Sequence, residues 1–84
     1  MKYAYDPQIS VRLAEHGLAP STTTDPSFVR DALSDLYRYE IRRLRQSLLR
    51  GEVPKADYVP RVIGLRRKYW LLSVPTALWA QRQE

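Results

Sequence analysis

The chain has 84 residues and a mass of 9.8 kDa, a size that fits one small domain. A chain of this length buries only roughly 60 to 65% of the surface that its unfolded form exposes, which excludes a large enzyme core. It contains no Cys, so disulfides and thiolate metal sites are excluded, and its formal charge of +5 suits nucleic acid, anionic lipid or an acidic protein as a partner.

The N-terminal sequence has no apolar segment of the kind found in signal peptides, and the longest apolar run, Tyr69 to Leu72, is far too short to span a bilayer. We therefore expect a cytoplasmic protein without a membrane span. We predict a single small helical domain over residues 1–84. Its N-terminal arm, residues 1–24, holds a short helix and a linker, and residues 25–84 form a helical hairpin and a C-terminal segment.

The first predicted helix begins at Pro7, because Asp6 is a good N-cap and Pro is tolerated at the first helical position. It ends at about His16, since Gly17 can adopt the left-handed conformation that closes a helix. The segment from Ala19 to Thr24 is polar and rich in Thr, which predicts a linker.

The longest predicted helix begins at Pro26, after a second Asp-Pro dipeptide, and ends at about Arg50, before Gly51. No Gly or Pro interrupts this stretch. Apolar residues recur at spacings of three and four and form one stripe along the helix, which consists of Val29, Leu33, Tyr37, Ile41, Leu44 and Leu48.

A further helix is predicted to start with Asp57 as N-cap, with Pro60 in the first turn, and to continue to about Leu72. Its apolar stripe comprises Tyr58, Val62, Leu65, Tyr69 and Leu72. Pro75 then interrupts the chain, and residues 76–81 are predicted to form one turn that lies back on the helices. The predicted fold class is all-α: a long antiparallel helical hairpin, with a short N-terminal helix and a short C-terminal turn packed on it.

The later long helix carries more apolar surface than one neighbouring helix can cover. Val59, Ile63 and Trp70 form a second row, roughly 120° around the helix axis from the first. If the remaining apolar residues of the chain fold over this row, the protein is a self-contained monomer of three or four helices. If they do not, the row docks on another chain, and Trp and Arg are enriched in such contacts. The predicted partner-binding residues are Val59, Ile63, Arg66, Trp70 and Trp79.

No motif in the sequence indicates catalysis. His16 lies near a helix C-terminus, where the helix dipole accounts for the presence of a basic side chain. No nucleophile or orienting carboxylate has a spacing that singles out His16 as a catalytic base. Asp31 and Asp35 are followed by Arg38, a pattern typical of a solvated ladder of ion pairs rather than a metal site. Phosphate loops, dinucleotide fingerprints and metalloprotease motifs are missing. We predict that the protein is not an enzyme and needs no cofactor or metal.

The basic residues allow an alternative, in which a helical surface binds the phosphates of a nucleic acid. Against this alternative, Glu40 and other acidic residues are interleaved with the arginines, and the basic residues point in several directions around the helix axes. The basic set comprises Arg38, Arg42, Arg43, Arg45, Arg50, Arg61, Arg66, Arg67 and Lys68.

Leu36-Tyr37-Arg38 followed by Arg42 resembles the signature of the LYR family of small basic helical proteins. The resemblance implies an antiparallel helical bundle that receives the acyl chain of acyl carrier protein and assists the assembly of respiratory or iron-sulfur enzymes. The tripeptide lies about three turns inside its helix rather than near the start, and Glu40 stands where the family has an apolar residue. An acyl-carrier-protein-binding assembly factor is therefore a further alternative.

The function that the sequence favours is that of a non-catalytic protein-protein interaction subunit or small accessory protein. It would dock an apolar helix face that contains Trp and Arg on a partner or on a second copy of itself. The positive charge of the chain favours a partner with an acidic surface.

Overall fold

A computed structural model describes residues 1–83 of the chain. The molecule is a rod of 53 × 17 × 16 Å that contains three α-helices, two short 3₁₀ helices and two short strands. In chain order these are β1 (Lys2–Tyr5), α1 (Pro7–Glu15), α2 (Pro26–Leu49), α3 (Lys55–Lys68), the 3₁₀ helices Trp70–Ser73 and Thr76–Leu78, and β2 (Ala80–Gln83).

The first two helices begin and end where the sequence predicts. Asp6 caps α1, because its carboxylate accepts hydrogen bonds from the backbone N–H groups of Gln8 and Ile9 at 2.9 and 3.2 Å. Asp25 caps α2 in the same way through the N–H of Ser27 at 2.8 Å. Gly17 and Gly51 follow the two helices with positive φ of 77° and 76°, a conformation that Gly adopts without strain.

The prediction of an all-α fold built on a long helical hairpin is wrong. The two ends of the chain pair as an antiparallel two-stranded sheet, in which Lys2 lies opposite Gln83 and Tyr5 opposite Ala80. α2 is a single long helix of 24 residues, whereas α3 has 14 residues and contains none that is fully buried. The interior of the protein therefore forms where the chain ends meet the first half of α2, not between two long helices.

α3 also differs from the predicted helix at both ends. It begins two residues before Asp57, with Pro54 as N-cap, so Pro60 lies inside the helix instead of in its first turn and removes one backbone hydrogen bond there. It ends at Lys68, and the chain continues as a 3₁₀ helix over Trp70–Ser73. The predicted C-terminal turn consists of a single 3₁₀ turn, Thr76–Leu78, followed by β2.

The core lies at one end of the rod. Its buried residues come from α1, α2, the junction after α3, the first 3₁₀ helix and the segment before β2. They are Ile9, Leu13, Val29, Leu33, Tyr69, Leu71 and Trp79. The indole N–H of Trp79 donates to the backbone carbonyl of Val74 at 3.0 Å, so this polar atom is satisfied inside the core. At the other end of the rod, Val53 is buried in the connection between α2 and α3.

β1 fixes the linker between α1 and α2. The Tyr5 hydroxyl donates to the carbonyl oxygen of Thr24 at 2.6 Å. The backbone N–H of Tyr3 donates to the carbonyl oxygen of Thr22. The backbone N–H of Asp6 donates to the carbonyl of Trp79 at 2.9 Å. The sheet therefore joins the linker, the start of α1 and the buried Trp79 into one unit.

Within residues 1–83, none of the helices combines the length and the apolar character that crossing a membrane requires.

Candidate protein-docking surface

Four of the five predicted partner-binding residues lie on the surface. Val59, Ile63 and Trp70 are 61%, 42% and 44% exposed, and Arg66 is also exposed. Trp79 is different, because it is completely buried in the core. A partner therefore has no access to Trp79 in this conformation, and we withdraw it from the docking residues.

The way in which α3 packs explains why Val59 and Ile63 are uncovered. The inner row of α3, which comprises Tyr58, Val62 and Leu65, is half-buried on the side of α2. Val59 and Ile63 lie four residues apart on one flank of α3, and Arg66 follows three residues later on the same flank. Since α2 shields only the inner row, this flank remains in contact with solvent.

The change from α-helix to 3₁₀ helix after Lys68 separates Trp70 from its neighbours. Tyr69 and Leu71 are 5% and 1% exposed, whereas Trp70 between them points outward. A 3₁₀ helix has three residues per turn rather than 3.6, so the helical periodicity of α3 does not extend through this segment. Leu71 is buried within this 3₁₀ helix and Tyr69 just before it, whereas the indole ring of Trp70 is accessible.

Trp70 borders a groove of about 560 Å³ on this side of the rod. Ile63, Arg66 and Arg67 contribute from α3, Tyr37 contributes from α2, and the remaining lining residues are Tyr69, Leu72 and Ser73. The groove is open to solvent and mainly apolar. Its size is within the range of ligand-binding clefts in proteins.

A second groove of about 300 Å³ continues from the first along α2. Tyr37 lines both grooves, and the other lining residues of the second are Arg38, Ile41, Arg42 and Arg45. We use the term Trp70 face for the surface formed by the two grooves and by the adjacent Val59. Its α2 side was not among the predicted docking residues, although the spacing of Arg38, Arg42 and Arg45 by four and three places them on one flank of the helix.

The Trp70 face is strongly positive. Among residues 1–83, five arginines and no acidic residue line its two grooves. The only ion pair that the described part of the chain gives these arginines is Arg38 to Asp35 at 3.8 Å, between side chains that are 71% and 76% exposed. An exposed ion pair of this kind adds little to stability, and it engages one of the five arginines. The positive charge of the face is therefore largely uncompensated within the described part of the protein.

A third groove, of about 590 Å³, lies on the other side of Trp70 at the core end of the rod. It includes Val11 of α1 and Leu78, which are 60% and 67% exposed. Val11 was not among the predicted surface residues. Its position two residues after Ile9 and two before Leu13, the buried residues of α1, places it off the buried side of that helix and is the signal that was missed.

The polar residues on the opposite flank of the two helices hold each other in place. Lys68 donates to both carboxylate oxygens of Glu40, at 3.1 and 3.2 Å, across a groove of about 470 Å³. The ring of Tyr69 stacks on His16 with centroids 4.6 Å apart. The pKa of Tyr69 is raised well above its ordinary value, first by burial and then by the neighbouring Glu40 carboxylate. Burial also opposes ionisation of Glu40, but Tyr69, Lys68 and His16 outweigh it, so the pKa of Glu40 is lowered.

No group of three or more potential metal-ligating side chains occurs within residues 1–83.

Comparison of the chain with known protein families, with curated proteins and with solved structures found no match. The resemblance to the LYR family therefore rests on the residues Leu36, Tyr37, Arg38 and Arg42 alone. Within the described residues, the Trp70 face combines exposed apolar side chains with five arginines.

Proposed function

We propose that this protein is a non-catalytic interaction subunit that uses the Trp70 face to dock on another protein with an acidic surface. The observation that carries the proposal is the exposure of Trp70, which lies between two grooves instead of being folded into the core beside Tyr69 and Leu71. A cytoplasmic location is part of this proposal.

The energetics of burial support a docking role. Burying one Val-, Leu- or Ile-sized side chain is worth about 1.5 to 3 kcal/mol, and Val59, Ile63 and Trp70 are all exposed to a large extent. Their combined burial is considerable beside the total stability of a small domain, which is about 5 to 15 kcal/mol. Trp and Arg are also the residue types on which binding energy concentrates in interfaces.

The charge of the face favours a different protein over a second copy of this chain. Residues 38–68 contain ten of the fourteen basic residues and three of the nine acidic residues, a net charge of +7. Contact between two identical Trp70 faces would bring ten arginines together, with no acidic residue lining either groove. A partner with acidic groups would instead supply the missing counter-charge.

Nucleic acid is a weaker candidate because of how the charges and the apolar groups are placed. The arginines of the Trp70 face surround apolar side chains, whereas Arg43 and Arg61 line the groove on the opposite flank. A surface that follows a phosphate backbone needs its cations along one track. Strong and steeply salt-dependent retention of DNA or RNA would favour this alternative.

Affinity capture from an extract of the source cells tests the proposal. We expect the wild-type protein to retain an acidic protein that is lost when Ile63 is replaced, in the variant Ile63→Asp. Leu49→Asp is the matched control, because Leu49 is 76% exposed at the end of α2 and lies outside the grooves. Circular dichroism verifies that both variants fold. If both variants retain the same proteins as the wild type, the Trp70 face is not the docking surface.

A further inference from the structure

We infer that the partner presents an acidic amphipathic helix, which lies along the Trp70 face with its apolar side on Ile63 and Trp70 and its carboxylates on the arginines of both edges. This inference rests on the proposed docking function and specifies the chemistry of the partner.

The shape of the face favours a helical partner. The first groove lies between Tyr37 of α2 and the flank of α3, and the second begins at the same Tyr37 and follows the surface of α2. An amphipathic helix binds in such a groove by inserting side chains that recur at spacings of three and four. From Val59 to the end of α3 at Lys68 the helix advances about 14 Å at 1.5 Å per residue, which corresponds to about two and a half turns of a partner helix.

The distribution of charge across the face favours an acidic partner. Arg38, Arg42 and Arg45 line the groove on α2, and Arg66 and Arg67 belong to α3. The apolar centre of the face is therefore bordered by cations on both helices. A complementary helix has an apolar stripe with Glu or Asp on each side, and guanidinium groups bind such carboxylates in bidentate geometry.

The same features argue against a flat anionic membrane as the occupant. The apolar groups that would enter a bilayer must project beyond their surroundings, as they do on amphipathic helices that lie in the membrane interface. Here Tyr37, the residue that lines both grooves, is half-buried and does not project. The side chains of a partner helix can reach such a recessed ring, whereas a planar surface contacts mainly the groups that project.

A peptide titration tests the inference. The probe is a synthetic peptide of about 18 residues, long enough to form a helix when bound, with leucines at helical spacing and glutamates on both flanks of the leucine stripe. Two companion peptides carry glutamine or lysine in place of every glutamate. Binding is followed by the fluorescence of Trp70, since Trp79 is buried in the core and the Trp70→Phe variant provides the baseline.

We expect the glutamate peptide to bind and to shift the Trp70 emission to shorter wavelength, and the lysine peptide to have no effect. Replacing both Arg42 and Arg45 with Ala should weaken binding roughly three- to tenfold. The matched control replaces both Arg43 and Arg61 with Ala, because it removes the same charge from the opposite flank. This control should leave the affinity nearly unchanged.

The outcomes separate this inference from the function on which it rests. Equal binding of the glutamate and glutamine peptides would overturn the acidic helix but leave apolar docking intact. Equal weakening by the two arginine pairs would reveal non-specific attraction and overturn the inference. It also fails if none of the peptides binds, or if vesicles of phosphatidylcholine and phosphatidylserine shift the Trp70 emission and the glutamate peptide does not.

Discussion

The imidazole ring of His16 lies stacked against the phenol ring of Tyr69, with centroids 4.6 Å apart and planes inclined by 29°. His16 follows the end of α1, and Tyr69 follows the end of α3, so this contact joins two elements that are distant in sequence. Tyr37 of α2 contacts the same phenol ring at a centroid distance of 5.4 Å. Tyr69 therefore links all three helices, while the adjacent Trp70 is 44% exposed.

The ion pair beside Tyr69 should make stability depend on pH in the acidic range. The pKa of Glu40 is lowered in the folded protein, so the ionised carboxylate stabilises the fold. This stabilisation is complete above the ordinary carboxyl pKa of 4.5 and is lost as the pH falls through the pKa that Glu40 has in the folded protein. Because Lys68 is half exposed, we expect Glu40→Gln to cost about 0.2 to 1 kcal/mol at neutral pH. Urea unfolding of both proteins at neutral and at low pH checks this, and a difference that persists at low pH would contradict it.

The two tryptophans should respond very differently to truncation. Trp79→Ala removes a completely buried side chain and should lower the free energy of unfolding by about 3 to 5 kcal/mol. Trp70→Ala should cost no more than about 1 kcal/mol, because Trp70 is 44% exposed. Urea unfolding followed by circular dichroism measures both values. Similar losses for the two variants would mean that Trp70 also belongs to the core.

The hydrogen bond between β1 and the linker gives a prediction with an internal control. Tyr5→Phe removes the donor to the Thr24 carbonyl and should cost about 0.5 to 1.5 kcal/mol. Tyr3→Phe is the same chemical change in the same strand, but the Tyr3 hydroxyl makes two exposed contacts of 3.3 Å, to the Asp25 carboxylate and to the Met1 sulfur. We expect the second variant to unfold at nearly the wild-type urea concentration. If the two variants lost the same free energy of unfolding, the Tyr5 hydroxyl would not be what holds the linker.

Local signals were sufficient to predict the first two helices. Asp6 and Asp25 cap them, each with Pro at the next position, and Gly17 and Gly51 follow them. Such signals act over a few residues and depend little on the rest of the fold. The start of α3 was predicted less well, because the chain tolerates Pro60 inside the helix, where the general rule disfavours it.

The sheet could not be predicted, because its two strands come from opposite ends of the chain. No turn connects Lys2–Tyr5 to Ala80–Gln83, so the sequence contains no hairpin signal. β2 consists of Ala, Gln and Arg, which have no strong preference for strands, and its pairing depends on backbone hydrogen bonds with β1. The absence of this contact from the prediction is why the all-α class was wrong.

The composition of the Trp70 face was predicted only in part. Helical spacing identified Val59, Ile63 and Arg66, and it also identified Trp70, although a 3₁₀ helix and not α3 holds that residue. Which of the two tryptophans is covered depends on the path of the chain after Pro75, and no local pattern specifies that path. The arginines of α2 were noticed as basic residues, but their place beside Trp70 becomes apparent only when Tyr37 is seen to line both grooves.

The central claim, that Trp70 is free in the isolated protein and covered by an acidic partner, is tested most directly by fluorine NMR of protein labelled with fluorotryptophan. In the isolated protein we expect one resonance that shifts between water and deuterium oxide, from Trp70, and one that does not, from Trp79. In the complex with the captured partner, both should be insensitive to the solvent. A Trp70 resonance that is insensitive before the partner is added, or that remains sensitive in the complex, would contradict the claim.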